Sequence, residues 1–215
     1  MYPIAIQDNF FPDPNLVVDF AMKQEYFPDP NGYWPGKRTK QLHELDKELF
    51  AFIGNKIHNI FYESTPRFWE MELSFQLISP LHKNSSHLFN HGWVHKDTNS
   101  FFGGVIYLNK NPEDKTGTSI FKPKKGYSQD VSDYLKAKEK FYKNEDISEE
   151  EYNNAFISYH SQYEETVSVK NVYNRMLLFG GDIHHAAQSF GSSGERLTIS
   201  FFSKGMVGAY PPLVR

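Results

Sequence analysis

The spacing of the apolar residues changes near Pro66, and this change limits the possible fold more than any other feature of the chain. Before it, over residues 42–60, apolar side chains recur every three or four positions, which predicts one long amphipathic helix. After it, Phe68–Ile78 carries apolar residues at every second position, which predicts a strand with one buried face. We therefore expect a helical first part, about residues 1–65, followed by a β-rich remainder.

The rest of the chain indicates further strands and one helical interruption. Short runs of β-branched and aromatic residues, bounded by turn residues, predict strands. These runs are residues 101–109, 118–122, 166–169, 175–179 and 196–202. Residues from about 128 to 163 instead predict two charged helices, with Ser148 as the N-cap of the second. The predicted fold is a single domain, 1–215, mainly β with α, in which a β-sandwich or jelly roll carries helices on one face and a helical insertion.

The composition excludes several classes of function. A formal net charge of −3 lacks the basic excess typical of nucleic-acid binding, so nucleic acid is not expected as a partner. No run of about 18 apolar residues predicts a membrane span, and the first residues lack the pattern of a signal peptide, so we expect a cytoplasmic protein. The chain has no cysteine, which excludes disulfides and thiolate chemistry. A transition-metal site would therefore have to use His and carboxylate side chains.

The first 40 residues predict a short helix and a loop. A breaker precedes residues 15–22, which predict a helix capped by Asp13 or Asn15. Turn residues at 27–36 predict a loop. Trp34 and Arg38 could belong to a loop that leans over a functional site, or the loop could simply be packed by its own aromatic residue, and the sequence does not decide between these.

Candidate metal ligands lie in two distant segments. His95 and Asp97 are two residues apart, so both side chains point to the same face if the segment is a strand. Farther along come the adjacent His184 and His185, of which only one can point inward from a strand, and then Arg196. Two His and one carboxylate on one face of an ion leave positions open for substrate and O2, as in non-haem Fe(II) oxygenases. An arginine suits such a site because its guanidinium binds a carboxylate through two hydrogen bonds.

These residues, in this order, resemble the motif of the 2-oxoglutarate- and Fe(II)-dependent dioxygenase superfamily. Residues 102–121 resemble its prolyl hydroxylase branch, where a Tyr-Leu-Asn strand leads through a loop into a Gly-Thr strand. Residues 8–14 and 34–39 are similar to a small, mostly uncharacterised microbial and phage branch. The resemblance covers roughly residues 75–203.

The resemblance implies a double-stranded β-helix, a jelly roll of the cupin-like kind, and a hydroxylase activity. Fe(II) would be held at the catalytic centre by His95, Asp97 and His185. The cosubstrate 2-oxoglutarate would chelate the metal, with O2 as the oxidant, and its distal carboxylate would pair with Arg196. Tyr107 would hydrogen-bond the same carboxylate, although it could equally be a half-buried strand aromatic. Because related halogenases replace the carboxylate ligand by a small residue, Asp97 favours hydroxylation.

Several alternatives stay open at this level. His185 is preferred to His184 because ten residues between the histidine and Arg196 suit the family, whereas His184 would give eleven. Prolyl hydroxylases are shorter where the helical insertion falls, so their substrate type cannot be carried over to this chain. The expected substrate is either a small molecule or a peptide. A non-catalytic β-sandwich binding module, or a cupin-type metalloenzyme that does not use 2-oxoglutarate, would fit the same strands. The oligomeric state is not predicted.

Overall fold

The secondary structure agrees with the predicted class, mainly β with α. The computed structural model describes residues 4–61, 66–128 and 131–207. The helices in these ranges are α1 (Pro14–Ala21), α2 (Leu42–Leu45), α3 (Lys47–Phe61), α4 (Ser132–Tyr142) and α5 (Glu149–His160). The strands are β1 (Ala5–Gln7), β2 (Phe27–Pro28), β3 (Lys37–Arg38), β4 (Phe68–Ile78), β5 (Phe102–Tyr107), β6 (Thr118–Pro123), β7 (Tyr163–Val169), β8 (Met176–Gly180), β9 (His184–Ala187) and β10 (Arg196–Val207).

The strands form two antiparallel sheets. The larger sheet has seven strands in the order β1-β8-β5-β10-β4-β3-β2, and the smaller has three in the order β7-β6-β9. Strand β10 is central to the larger sheet, since it pairs with β4 along nearly its whole length on one side and with β5 on the other. Most neighbours in the larger sheet are distant in sequence, and β1 pairs with β8 at one edge.

Helices α1 and α3 pack on the larger sheet, and strand β4 shows why. The alternate residues Leu73 and Phe75 are fully buried in the main hydrophobic core, together with Ile53 and Ile57 of α3. The alternate residues Ser74 and Gln76 are also buried, but they are polar and face the other side of the sheet. Gln76 Oε1 accepts a 2.8 Å hydrogen bond from Ser200. The same strand therefore has one apolar face against helices and one polar face toward a cavity.

The first part of the chain differs from the prediction in three ways. The long helix is broken at Asp46, which is extended (φ −153°, ψ 102°) and whose carboxylate accepts from the backbone N–H groups of Glu48 and Leu49. Apolar spacing continues across this break, so periodicity alone does not reveal it. The predicted loop contains β2 and leads into β3, and strand β1 was not predicted. Asp13, one of the two predicted caps, does accept from the first amides of α1.

Helices α4 and α5 lie between β6 and β7, where the sequence predicts a helical insertion. Ser148 caps α5 by accepting from Glu151 N–H at 3.1 Å, as predicted. Aromatic residues of α5 contact the chain just before His95. Trp93 Nε1–H donates to the Tyr152 hydroxyl at 3.0 Å, and the Tyr159 hydroxyl donates to the Val94 carbonyl at 2.8 Å. The insertion thus helps to hold the segment that carries a candidate ligand.

Within the three described ranges, no helix is both long enough and apolar enough to cross a membrane. This finding agrees with the hydropathy of the sequence.

Removing the Tyr152 hydroxyl tests how far the insertion supports this segment. Tyr152→Phe should lower the free energy of unfolding by about 1–3 kcal/mol, because the buried Trp93 Nε1–H loses its acceptor. The measurement is urea unfolding at constant pH. Tyr134→Phe is the matched control, since its ring packs on Tyr159 in the same insertion and its hydroxyl makes no hydrogen bond to any residue that the structure describes, so its effect should stay within about 0.5 kcal/mol. Equal stability of both variants would contradict the supporting role of the hydrogen bond.

Candidate metal centre

His95 and His185 are brought together by their own backbones. His95 N–H donates to the carbonyl of His185 at 3.0 Å, and His185 N–H donates back to the carbonyl of His95 at 2.9 Å. Residues that face each other in an antiparallel pair carry their side chains on the same side. The two imidazole rings accordingly lie 4.3 Å apart, centroid to centroid. The two distant segments meet at this pair.

Asp97 completes the group, but not through the strand that was predicted. The segment 91–97 is not a strand; it contains only the isolated bridge between His95 and His185, and a turn follows in which Ser100 N–H donates to the Asp97 carbonyl. This turn directs the carboxylate back toward the histidines. Asp97 Oδ1 lies 3.8 Å from His95 Nε2, and Oδ2 lies 3.6 Å from His185 Nε2. The three ligand atoms all lie within 4.8 Å of one another.

The hydrogen bonds of the two histidines determine which nitrogen is free. Nδ1 of His95 lies 2.8 Å from the Trp93 carbonyl, and Nδ1 of His185 lies 3.0 Å from the Ile183 carbonyl. Because a carbonyl only accepts, we assign the proton to Nδ1 in both rings, which leaves the lone pair of each Nε2 for a metal.

The donor set fits a divalent transition metal. Asp97 Oδ2 is buried and has no hydrogen-bond partner among the described residues, although an unpaired buried carboxylate oxygen is costly. Two imidazole nitrogens and one carboxylate are ligands that such metals accept at about 2.0–2.2 Å. Adjacent ligand atoms would then be about 3 Å apart, so the observed spacings need only a small contraction. One face of the ion would be covered and the opposite face left open.

His184 points away from this group. Its ring packs 5.1 Å from the ring of Tyr163 and 6.1 Å from that of Tyr127. Burial is the main reason why the pKa of His184 falls to about 4. Since neighbouring residues of a strand point to opposite faces, only His185 of β9 can converge with Asp97.

Two glycines let the Asp97 turn approach the larger sheet. A Cβ added to Gly103 of β5 would lie 2.8 Å from Asp97 Oδ2 and 3.2 Å from the Phe201 carbonyl oxygen. One added to Gly181 would lie 2.0 Å from the Ser100 carbonyl oxygen. Neither glycine was predicted from the sequence to be part of the site. Glycines in or beside a strand pattern are a signal of close backbone approach that could have indicated them.

Arg196 and Tyr107 lie next to each other behind the same cavity. The Arg196 guanidinium is 5.6 Å from the Tyr107 ring, and Nε–H donates to the Thr116 carbonyl at 3.2 Å. Arg196 is only 5% exposed and, within the described part of the chain, has no carboxylate partner. Burial lowers its pKa. The Tyr107 hydroxyl donates to Thr118 Oγ1 at 2.8 Å, so Thr118 stands between Tyr107 and the cavity.

One cavity of about 120 Å³ joins these groups. Its lining includes the three candidate ligands together with Arg196, Thr118 and several aromatic side chains. Trp34 and Arg38 line it as well, and the Arg38 guanidinium lies 4.3 Å from the centre of the Trp34 ring. Lys138 of α4 is a further lining residue, and no pattern in the sequence distinguishes it from the other lysines of that helix.

The close approach of Gly103 yields a direct test of the site. Gly103→Ala should weaken binding of Ni²⁺ on the order of 10–100-fold, because the new methyl group displaces the Asp97 carboxylate. Gly205→Ala in β10 is the matched control, since its Cβ would meet nothing closer than 3.5 Å. Metal titration followed by calorimetry measures both. If Gly103→Ala binds Ni²⁺ as tightly as the wild-type protein, the Asp97 carboxylate does not depend on a glycine at position 103.

Comparison with solved structures identifies proteins of the same fold. The epimerase SnoN of nogalamycin biosynthesis, described as non-haem and α-ketoglutarate dependent, has a TM-score of 0.56 at 10% identity, over 98% of this chain and 81% of that one. HygX from Streptomyces hygroscopicus, with nickel and 2-oxoglutarate bound, has a TM-score of 0.53 at 11% identity, over 93% and 82%. A prolyl hydroxylase from Trichoplax adhaerens, in complex with a hypoxia inducible factor peptide, has a TM-score of 0.52 at 13% identity, over 93% and 82%.

These likenesses show the fold alone: the chain shares its fold with solved 2-oxoglutarate/Fe(II) oxygenases, prolyl hydroxylases included. No curated protein matches the sequence significantly. A family model does match residues 1–193, nearly the whole chain. The chain therefore belongs to the family described as DUF6445, a family of unknown function.

Proposed function

We propose that this chain is an Fe(II)- and 2-oxoglutarate-dependent dioxygenase that hydroxylates a small molecule or a peptide. The two sheets would be the two sides of a double-stranded β-helix. One observation carries the proposal: a cavity is bordered both by the convergent His95, Asp97 and His185 and by the buried Arg196, which has no carboxylate partner among the described residues. A metal and a carboxylate ligand would satisfy both.

In this proposal the two histidines and Asp97 are the metal ligands. The Trp93 and Ile183 carbonyls fix the rings so that both Nε2 atoms face the ion. Oδ2 of Asp97, which has no hydrogen-bond partner among the described residues, would coordinate the metal. With Fe(II) and 2-oxoglutarate bound, the centre uses O2 to convert 2-oxoglutarate into succinate and CO2, and the second oxygen atom becomes the hydroxyl group of the product. With Asp97 as the third protein ligand of the ion, hydroxylation is favoured over halogenation.

Arg196 would bind the distal carboxylate of 2-oxoglutarate. A buried guanidinium needs an anionic partner, and the fork of its N–H groups matches a carboxylate. Its Nε–H is already occupied by the Thr116 carbonyl, which orients the terminal nitrogens. Tyr107 would act indirectly on this carboxylate, through Thr118. The Tyr107 hydroxyl donates to Thr118 Oγ1, so the hydroxyl proton of Thr118 remains free to donate into the cavity. Tyr107 would thus position Thr118 against the same carboxylate.

The remaining lining would hold the substrate and exclude water. Trp93, Phe179, Phe190 and Phe202 form apolar parts of the cavity wall. Apolar walls around charged groups strengthen the electrostatic interactions inside, since less water screens them. The site would bind the metal and 2-oxoglutarate as one unit and leave the substrate to the residues near the cavity mouth.

Alanine substitutions separate ligands from neighbours. His95→Ala, Asp97→Ala and His185→Ala should each abolish succinate formation and Ni²⁺ binding, because the remaining two ligands cannot hold the geometry. His184→Ala is the matched control, since its ring faces Tyr163 instead of Asp97, and it should keep both properties.

Ligand-linked stability gives a second measurement on the same variants. Ni²⁺ at 100 times its dissociation constant should stabilise the wild-type protein by about 2.7 kcal/mol, and should leave the melting temperature of the three ligand variants unchanged. A wild-type protein whose melting temperature responds to neither Ni²⁺ nor 2-oxoglutarate would instead be a binding module.

Substitutions of Arg196 test the cosubstrate. Arg196→Lys should weaken 2-oxoglutarate binding moderately, because it keeps the charge and loses the fork. Arg196→Met should weaken it by about 2–5 kcal/mol, since the carboxylate would then be buried unpaired. Ni²⁺ affinity without 2-oxoglutarate should barely change, because Arg196 is not a ligand. Equal 2-oxoglutarate affinity in all three proteins, measured at fixed Ni²⁺, would exclude this role and favour a metalloenzyme that does not use 2-oxoglutarate.

A further inference from the structure

The cavity is bordered by more positive charge than the proposed reaction uses. Three cationic side chains line it, Arg38, Lys138 and Arg196, whereas Asp97 is its one lining carboxylate in the described part of the chain. A divalent metal, Asp97, Arg196 and the 2-oxoglutarate dianion together have no net charge. Arg38 and Lys138, both partly buried, are therefore left over, and removing a cation from water without giving it a partner is costly.

Arg38 is held in the cavity by aromatic rings and not by a carboxylate. Its guanidinium lies 4.3 Å from the centre of the Trp34 ring and 5.6 Å from that of Phe202. Its Nε is buried and has no hydrogen-bond partner among the described residues. Burial lowers the pKa of Arg38 to about 10, against the opposing effect of Asp97. Stacking on Trp34 fixes the plane of the guanidinium while its N–H groups stay available.

Lys138 approaches the cavity from the insertion. It lies on α4, and the N-terminal loop packs against this helix: a Cβ added to Gly32 would meet the Glu139 carbonyl oxygen at 2.8 Å. Lys138 has no ion-pair partner among the described residues, unlike Lys136 and Lys140 of the same helix, which pair with Asp133 and Glu151. Burial lowers the pKa of Lys138, and its neighbour Glu139 opposes this.

Two of the carboxylates near the pair, Asp29 and Glu72, are engaged elsewhere. Asp29, which lies near both cations, accepts hydrogen bonds from the backbone N–H groups of Asn31 and Tyr33 at 3.2 and 2.6 Å. Glu72, which lies near Arg38, pairs with Lys204 at 3.4 Å. Arg38 and Lys138 both line the cavity, so both side chains can bind an anion there.

We propose that Arg38 and Lys138 form a subsite for an anionic group of the primary substrate, a small molecule with an apolar body and one carboxylate or phosphate. The proposal rests on the proposed function, because it names the substrate of that site. The apolar body would lie among Trp34, Phe202 and the other aromatic walls. A carboxylate and a phosphate share the chemistry that a guanidinium and an ammonium recognise.

The experiment uses three probes with the same phenyl body: 3-phenylpropionate, 3-phenylpropionamide and 2-phenylethyl phosphate. Binding to the full chain loaded with Ni²⁺ and 2-oxoglutarate is measured by calorimetry without O2. We expect at least one anion to bind tenfold or more tightly than the amide, and the stronger anion indicates whether the group is a carboxylate or a phosphate. No preference for either anion over the amide would overturn the proposal.

Neutral variants assign the preference to the two residues. Arg38→Gln and Lys138→Gln should each reduce the affinity for the preferred anion at least tenfold and leave that for the amide within twofold. Lys37→Gln and Lys136→Gln, exposed neighbours on the same strand and helix, are the matched controls and should change neither. Arg38→Lys, which keeps the charge, should retain most of the preference even if Arg38→Gln folds poorly. An anion preference that survives in both neutral variants would place the subsite elsewhere and overturn the proposal.

A second arm separates this proposal from the proposed function. In metal-free Arg196→Met protein without 2-oxoglutarate, the anion should still bind more tightly than the amide, and Arg38→Gln on that background should remove the difference. Failure of 2-oxoglutarate to bind the wild-type protein would refute the dioxygenase and leave the subsite measurable in this arm. If Arg38→Gln weakens 2-oxoglutarate binding as much as Arg196→Met does, Arg38 belongs to the cosubstrate site and the proposal is wrong.

Discussion

The reciprocal backbone hydrogen bonds between His95 and His185 are the contact on which the arrangement of the site depends. They place two segments, 90 residues apart in sequence, so that both imidazoles face one point. Their geometry is supported from two sides. The aromatic residues of α5 hold the backbone before His95, and strand β6 holds β9, which carries His185. The two imidazoles are thereby held in place by the protein itself, which would limit the entropy lost if an ion binds between them.

Buried charge is the second feature that organises the cavity. Proteins seldom bury an arginine or a carboxylate oxygen without a partner, because desolvation is then uncompensated. Asp97 Oδ2 and Arg38 Nε are buried without hydrogen-bond partners among the described residues, and Arg196 donates through its Nε–H to the Thr116 carbonyl. A metal and anions bound in the cavity, as proposed above, would supply the missing partners.

The candidate ligands could be predicted from residue type, order and spacing, yet part of the geometric reason was different. His95 and Asp97 were expected to converge because they alternate along a strand, whereas a turn after a single bridge brings them together. The choice of His185 over His184 followed from its spacing to Arg196, and the strand geometry of β9 favours the same residue. Tyr107 was expected to reach the carboxylate directly, but Thr118 lies between it and the cavity.

The sequence by itself determined the mainly β class, the positions of the longer strands, the cap of α5 and the residue types of the candidate metal site. These depend on local periodicity and local hydrogen bonds, which the order of residues contains. Only the tertiary structure decided that Arg38 of β3 and Lys138 of α4 share a cavity with Asp97, and that Gly103 must lack a side chain. Such contacts join residues far apart in sequence, and their energies depend on burial and distance, which arise only when the sheets and helices pack.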